Sequence, residues 1–455
     1  MSYVLVVSVV GLLLTVNVLL VRPAWWIGMV VLAVAATVPA QVPTAILLGG
    51  FGIQFSEIAL TGAAIYTLFK FPPNTLTDRC AFAVFLLTLA FAGYGLSQYP
   101  ANHVAGDARG MFALALALIV AGRIAGTPTA VVAMKAVRLT LWGSLLVVTL
   151  GAVGSIQIAA RATDATLDGS GTVALVTRVQ SPTTHLAAVV LAICIALWVT
   201  QRGMLREILW YAVPALGLTI FAYSRNALVL VAIAAVVTPL LERKFRGWVR
   251  MILAAGVGAF MFVAAGWVLS QVSDLTAFGY LNRMYTAYSD RVLVGLSAEA
   301  QSVDRSVLYR EIEIVRLRAA IPGFEFFGHG LGFSYQPQRD RATPNSAFYA
   351  HHYYYWLMVK TGAVGVVAYL VAFVAPLIRA ARWPGNPFRS ACAATAAGLF
   401  YISTVAPMPI STNGGPLFGA LLGIAAGLWS ARPDAPSRTV SDSQSNLDHS
   451  RANAV

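Results

Sequence analysis

The sequence predicts an all-α fold: a polytopic bundle of about 12–13 transmembrane helices with a long outer loop that contains amphipathic helices. Three observations carry the prediction. Of the 455 residues, 58% are hydrophobic and only 11% are charged, whereas a soluble domain carries about 25% charged residues. Mean hydropathy is +0.73. Apolar runs of roughly 18 residues or more, long enough to cross a bilayer, recur along the whole chain.

Taken in order, residues 4–21 form the first apolar run. No basic segment precedes it, so it reads as a retained helix over 3–21 and not as a signal peptide. Arg22-Pro23 makes a turn, and a second helix spans 24–38 with Trp25 and Trp26 at its interface end. The stretch 42–71 is interrupted by Gly49, Gly50 and Gly52 and reads as a short re-entrant piece followed by a full helix. Glu57 falls in its middle, where a carboxylate is costly and usually faces a partner or a cavity. Further helices are expected over 81–96, up to Arg123, from near Lys135 and Arg138 to 156, over 182–200, up to 221, from 224–226 onward and up to 269. A loop over 97–109 holds His103, Asp107 and Arg109, and 157–181 is a second polar loop. The last helices are expected over 351–378, 391–406 and 417–430.

Four regions follow: N-terminal transmembrane helices in 1–270, a large outer loop in 271–350, C-terminal transmembrane helices in 351–430, and a disordered cytoplasmic tail in 431–455 that is poor in apolar residues. The net charge of +13 does not point to nucleic acid. Much of it stands in short turns, at 70–79, 123–138, 202–206, 242–250 and 379–389, which the positive-inside rule makes cytoplasmic. The loops at 97–109, 157–181, 223–225, 271–350 and 407–416 then face outside. The three cysteines, Cys80, Cys194 and Cys392, lie in or beside apolar runs without metal-ligand spacing, so neither a disulfide framework nor a zinc site is expected.

The outer loop carries eight arginines, eight carboxylates and no lysine between Gln271 and Ala350. Arginine grips carboxylate and phosphate through two parallel N–H donors, which lysine cannot do. The plain reading is a folded polar cap in which the eight carboxylates pair with the eight arginines, with one or two arginines expected as exceptions. Residues 304–320 read as an amphipathic helix, with Val307, Leu308, Ile312, Val315 and Ala319 at helical spacing and Pro322-Gly323 as its stop. Arg305 and Tyr309 share a face, while Arg310, Glu313, Arg316 and Arg318 are expected to point elsewhere. Gly328, Gly330 and Gly332 form a turn that reads as structural. His351 and His352 open the helix that follows, before Tyr353, Tyr354, Tyr355 and Trp356. Taken alone, they fit an interfacial aromatic belt, and Arg225 alone fits a snorkelling arginine.

As an ordered set, these residues resemble the O-antigen ligase and O-antigen polymerase family of bacterial membrane glycosyltransferases. Three segments carry the resemblance. Ser224-Arg225-Asn226 matches a Ser-Arg-Gly-like step at an outer helix end, with Asn in place of Gly. Arg305 and Tyr309 match an arginine four residues before an aromatic, usually Trp, ahead of the glycine-rich turn 328–332. His351-His352 matches a His-Asn pair opening a helix that later carries two glycines three apart, here Gly362 and Gly365. The spacing to those glycines makes His351 the match to the family histidine. The agreement covers about residues 224–377.

The resemblance implies transfer of a glycan from a polyprenyl (undecaprenyl) pyrophosphate carrier to a hydroxyl on a lipid- or glycan-linked acceptor. The reaction would take place at the outer face of the bacterial cytoplasmic membrane, ligase-like and inverting. Arg225 and Arg305 are the donor pyrophosphate residues, His351 the catalytic base, and Ser224, Tyr309, Arg310 and His352 the supporting candidates. No cofactor is expected. No Asp-x-Asp motif stands in an outer loop, so arginines are expected to neutralise the leaving pyrophosphate in place of a metal. Histidine suits the base role because it titrates near neutral pH. A polysaccharide polymerase is the alternative within the family. From another class, a transporter or flippase of lipid-linked glycans is favoured by Glu57 and the Gly49-Gly50 break. A third class, other lipid-phosphate sugar transferases, would need an acidic pair in an early outer loop, where Asp107 stands two residues before Arg109.

Overall fold

The computed structural model describes residues 24–48, 51–152, 154–158, 161–164, 177–201, 205–271, 276–293, 297, 305–336 and 348–427. The expected helix over 3–21, the Gly49-Gly50 step and the expected tail lie outside them. Fourteen α-helices occur among the described residues, and seven are long and apolar enough to cross a membrane. The chain is a multi-pass, all-α membrane protein.

The spanning helices are α3 (Thr75–Leu96), α4 (Ala101–Ile124), α5 (Pro128–Ala152), α6 (Pro182–Thr200), α7 (Leu205–Ala222), α9 (Arg246–Gln271) and α12 (Tyr353–Arg382). Shorter apolar helices are α1 (Trp25–Ala35), α8 (Arg225–Leu241) and α14 (Gly414–Ala426). The remaining four are α2 (Phe55–Lys70), α10 (Thr276–Tyr288), α11 (Arg305–Ala319) and α13 (Pro387–Ile402). Strands β1 (Ala45–Leu48) and β2 (Phe51–Gln54) pair antiparallel, as do β3 (Arg161–Asp164) and β4 (Thr177–Gln180).

The tightest helix pair is α4 with α14, and its cause is legible residue by residue. Gly415, Gly419 and Gly423 recur every fourth position and so form one face of α14. A Cβ on these glycines would strike the backbone carbonyls of Gly110, Leu114 and Leu118 of α4. In lipid, where apolar surface alone does not drive helices together, such small-residue faces permit the close backbone approach that packing needs.

Buried hydrogen bonds tie the helix ends into two opposite layers. At one end, Asn74 caps α3 by accepting from Thr77, and its amide donates to the carbonyls of Gly122 (3.4 Å) and Ala426 (3.3 Å). Arg123 grips Asp78 through two nitrogens at 3.0 and 2.8 Å. Glu242 accepts from Ser390 at 2.5 Å. This end carries the basic turns. At the other end, Thr37, Ser144, Ser181 and Thr183 interlink α1, α5 and α6, with Thr37 Oγ1 to Ser181 Oγ at 2.7 Å.

Several expectations need correction. The short piece expected before the full helix is an antiparallel strand pair at one end of the bundle, and α2 follows it directly. Glu57 sits in the first turn of α2, not mid-span. There it accepts the Gln54 N–H at 2.9 Å and pairs with Arg109 at 2.8 Å. The 97–109 loop shrinks to a turn, because α4 starts at Ala101 after Pro100 and carries Asp107 and Arg109 within it. Lys135 and Arg138 likewise lie inside α5, which starts at Pro128.

Candidate active site

The long insert and the start of α12 meet through Glu313. This residue is on α11 and its side chain is only 2% exposed. Its carboxylate accepts the backbone N–H of His351 at 2.7 Å and faces His351 Nδ1 at 3.4 Å. The Tyr335 hydroxyl lies 2.9 Å from the same carboxylate and 2.7 Å from the Tyr349 carbonyl, one hydrogen between two acceptors. Burial first, then the Glu313 charge, pushes the Tyr335 phenol far up, so it stays a donor. The same two causes push Tyr349 up to about 12, and the nearby Arg310 charge opposes them. The His351 ring also meets Tyr309 and Tyr349 edge-on, with centroids at 6.1 and 5.6 Å. Its side chain remains 35% exposed.

This geometry corrects the helical-face reading of α11. Glu313 is one helical turn beyond Tyr309 and joins its face toward His351, whereas it was expected to point elsewhere. The apolar stripe is the opposite of a core face: Leu308, Ile312 and Val315 are exposed, while Glu313 and Leu317 are buried. Arg316 donates to Gln336 Oε1 at 2.5 Å, and the Gln336 amide reaches the Tyr309 hydroxyl at 3.4 Å. Arg318 donates to the Tyr355 hydroxyl at 2.9 Å and lies 4.9 Å over its ring. These arginines hold the cap together.

Both histidines precede α12, which starts at Tyr353 and not at His351. His352 is its N-cap, with Nδ1 accepting the Tyr355 N–H at 3.3 Å. Burial holds His352 below the ordinary imidazole value, so it stays neutral and its Nδ1 can keep accepting. His351 and His352 therefore divide their contacts: one meets the buried carboxylate, the other terminates a helix.

Below them α12 breaks. Gly362 adopts φ 62° and ψ −172° inside the helix, a conformation open to glycine. The loop 325–331 lies against the break and takes up its backbone groups. His329 and Gly330 donate to the carbonyls of Val359 and Lys360, each at 2.9 Å, and Ala363 and Val364 donate to those of Glu325 and Phe326 at 2.7 and 3.1 Å. The left-handed φ of Gly328, Gly330 and Gly332 lets this chain thread between α3 and α12. Beside it, fully buried Lys360 pairs with buried Asp107 and donates to the Phe333 carbonyl at 2.5 Å. Asp107 also accepts the Gly332 N–H at 2.6 Å. Asp107 thus pairs with Lys360, and its sequence neighbour Arg109 pairs with Glu57.

Arg305 is the first residue of α11, and its side chain lies outside the described residues. Arg225 is in the first turn of α8, which packs on α6, α13 and the π-helical turn Ser289–Leu293. Ser224 is the N-cap of α8, and Tyr223 before it adopts φ 45° with its ring buried against Ala287, Tyr288 and Val292. A left-handed bulky residue is strained, and here it sets the start of α8 under the insert.

Sequence reasoning missed Glu313, Tyr335 and Lys360. The i, i+4 rule that joined Arg305 to Tyr309 extends to Glu313. Lys360 was visible as a lone cation in an apolar helix, which always requires a partner. Among the described residues, no group of three or more His, Cys, Asp and Glu side chains is placed to hold a metal ion. No model of a known protein family matches the chain, and no curated protein matches it.

Proposed function

We propose that the protein transfers a glycan from a polyprenyl pyrophosphate carrier to an acceptor hydroxyl, as an O-antigen ligase-like inverting glycosyltransferase of the bacterial cytoplasmic membrane working on its outer side. The observation that supports this best is the His351–Glu313 contact at the partly open mouth of α12. A carboxylate on one ring nitrogen fixes the imidazole and stabilises the cation it becomes, as in other carboxylate–histidine bases. The other nitrogen then takes the acceptor hydroxyl proton. The hydroxyl oxygen bonds to the anomeric carbon, the carbon–oxygen bond to pyrophosphate breaks, and the carrier leaves with the electron pair. Arg225 and Arg305 neutralise that leaving charge, with Ser224, Tyr309, Arg310 and His352 in support. Ligase chemistry and polymerase chemistry differ only in the acceptor.

The direct test is to incubate the purified protein in liposomes with a polyprenyl pyrophosphate oligosaccharide and acceptor, and to look for the joined product. Turnover should persist in chelator, because the outer carboxylates lack metal-ligand spacing; loss that magnesium or manganese restores would refute this. Arg225→Lys and Arg305→Lys keep charge but lose the two-pronged donor, and each should lose most of its turnover. Full activity in both Arg→Ala variants would sink the donor assignment. A transporter of lipid-linked glycans is the second reading, favoured by the break in α12 beside the Asp107–Lys360 pair. It predicts translocation without product.

A further inference from the structure

The segment between α11 and the glycine turn exposes three phenylalanines close together in sequence. Phe324 is 42% exposed, Phe326 71% and Phe327 64%. Ala363 and Val364 of α12 donate to the carbonyls of Glu325 and Phe326, so these aromatics stand at the level of the Gly362 break. From Gly362 to Arg379 the helix climbs roughly 25 Å at 1.5 Å per residue. That is close to the roughly 30 Å of a hydrocarbon core, so Gly362 falls near one hydrocarbon boundary. Just beyond it Val364, Val367 and Val371 are exposed on α12, as a lipid-facing helix requires.

We infer that Phe326 and Phe327 insert into the bilayer interface at this end of the bundle, so that the insert is anchored in lipid where α12 breaks, while the Phe324 ring stacks on the buried His329 ring at 3.6 Å. The occupant of this surface is phospholipid: its apolar side is continuous with the lipid-facing valines. Non-helical backbone at membrane depth is tolerated only when its polar groups are satisfied. Here the carbonyls of three successive residues are taken up, since Gly328 donates to the Phe324 carbonyl at 2.9 Å and the break in α12 takes up those of Glu325 and Phe326. Glu325 sets the depth. Its fully exposed carboxylate accepts the Gly323 N–H at 3.0 Å, and hydrogen bonds from its own and the Gly323 backbone hold it below the usual carboxylate range. An ionised carboxylate keeps the tip at headgroup level with only the rings reaching inward. Consequently the His351 site stands on the far side of the Gly362 break from the lipid-facing valines, with the helical residues 353–361 between them.

The test is independent of any transferase activity. Nitroxide labels on Phe326→Cys and Phe327→Cys, in protein reconstituted in phosphatidylcholine–phosphatidylglycerol vesicles, are compared for accessibility to oxygen and to a water-soluble nickel chelate. Val364→Cys and Val367→Cys give the lipid reference and exposed Glu311→Cys the aqueous one. Native protein treated with label controls for the three buried cysteines. Oxygen-to-nickel ratios nearer Val364 than Glu311 at both sites support the anchor. Ratios nearer Glu311, or low accessibility to both reagents as at a protein contact, overturn it. Monodisperse elution of each variant confirms that folded protein is being read.

Discussion

His351→Ala should lower turnover roughly 10²–10⁴-fold, the usual cost of removing a general base, while the protein stays folded and still binds donor. The structural basis is that the substitution removes the ring and spares the scaffold. The 2.7 Å bond from the residue 351 backbone N–H to Glu313 does not need the side chain. Glu313→Gln should cost less, because an amide oxygen can still accept that N–H but no longer offers a charge to an imidazolium. His352→Ala removes an N-cap, worth about 0.5–2 kcal/mol of stability, and should lower thermal stability more than it lowers turnover. Assays of all three variants side by side, after donor binding is confirmed, decide the assignment. If His352→Ala is dead and His351→Ala turns over normally, the wrong histidine has been chosen. Normal turnover by both would remove the histidine base and bring the transporter reading forward.

How far the sequence could be read differs between the bundle and the site, and the difference is physical. Hydrocarbon length and basic turns are local signals, so α6, α7 and α9 fall close to their expected ranges. Helix starts were legible where a turn or cap announced them, as Ser181-Pro182 does for α6. Ala101 carries no such cap, and the polar residues His103, Asp107 and Arg109 made the first turns of α4 resemble a loop. In fact each is met from elsewhere: His103 by the Phe348 ring at 4.1 Å, Asp107 by Lys360 and Arg109 by Glu57. Such pairings join residues far apart in sequence, and no spacing rule reaches across them. The face of α11 that turns to His351, with Glu313 on it, was hidden for a related reason. Apolar periodicity marks a face but does not say whether core, lipid or solvent receives it.

The second large effect should come from Lys360→Met. It leaves the Asp107 carboxylate buried in the bundle without its cation, and breaking a buried pair from one side costs about 3–5 kcal/mol. The Phe333 carbonyl also loses its donor, and the Lys360 ammonium no longer lies under the Trp356 and Phe348 rings, at 5.6 and 5.8 Å. The double variant Lys360→Met/Asp107→Asn should recover most of the loss. Methionine fits the apolar part of the lysine path, and the amide oxygen that replaces the Asp107 carboxylate can still accept the Gly332 N–H. Because a large membrane protein unfolds irreversibly, the comparison belongs to inactivation half-lives or scan midpoints at one scan rate. The expected order is native, then the double variant, then Lys360→Met well below both. Equal losses in the single and double variants would mean that the carboxylate was never left unpaired, and the pair would have no energetic meaning. A double variant that is stable but slow in glycan transfer would carry a further consequence. Phe333 and Gly332 lead directly to Tyr335, which meets Glu313, so the pair would then act on the His351 site by holding that loop in place rather than by touching substrate.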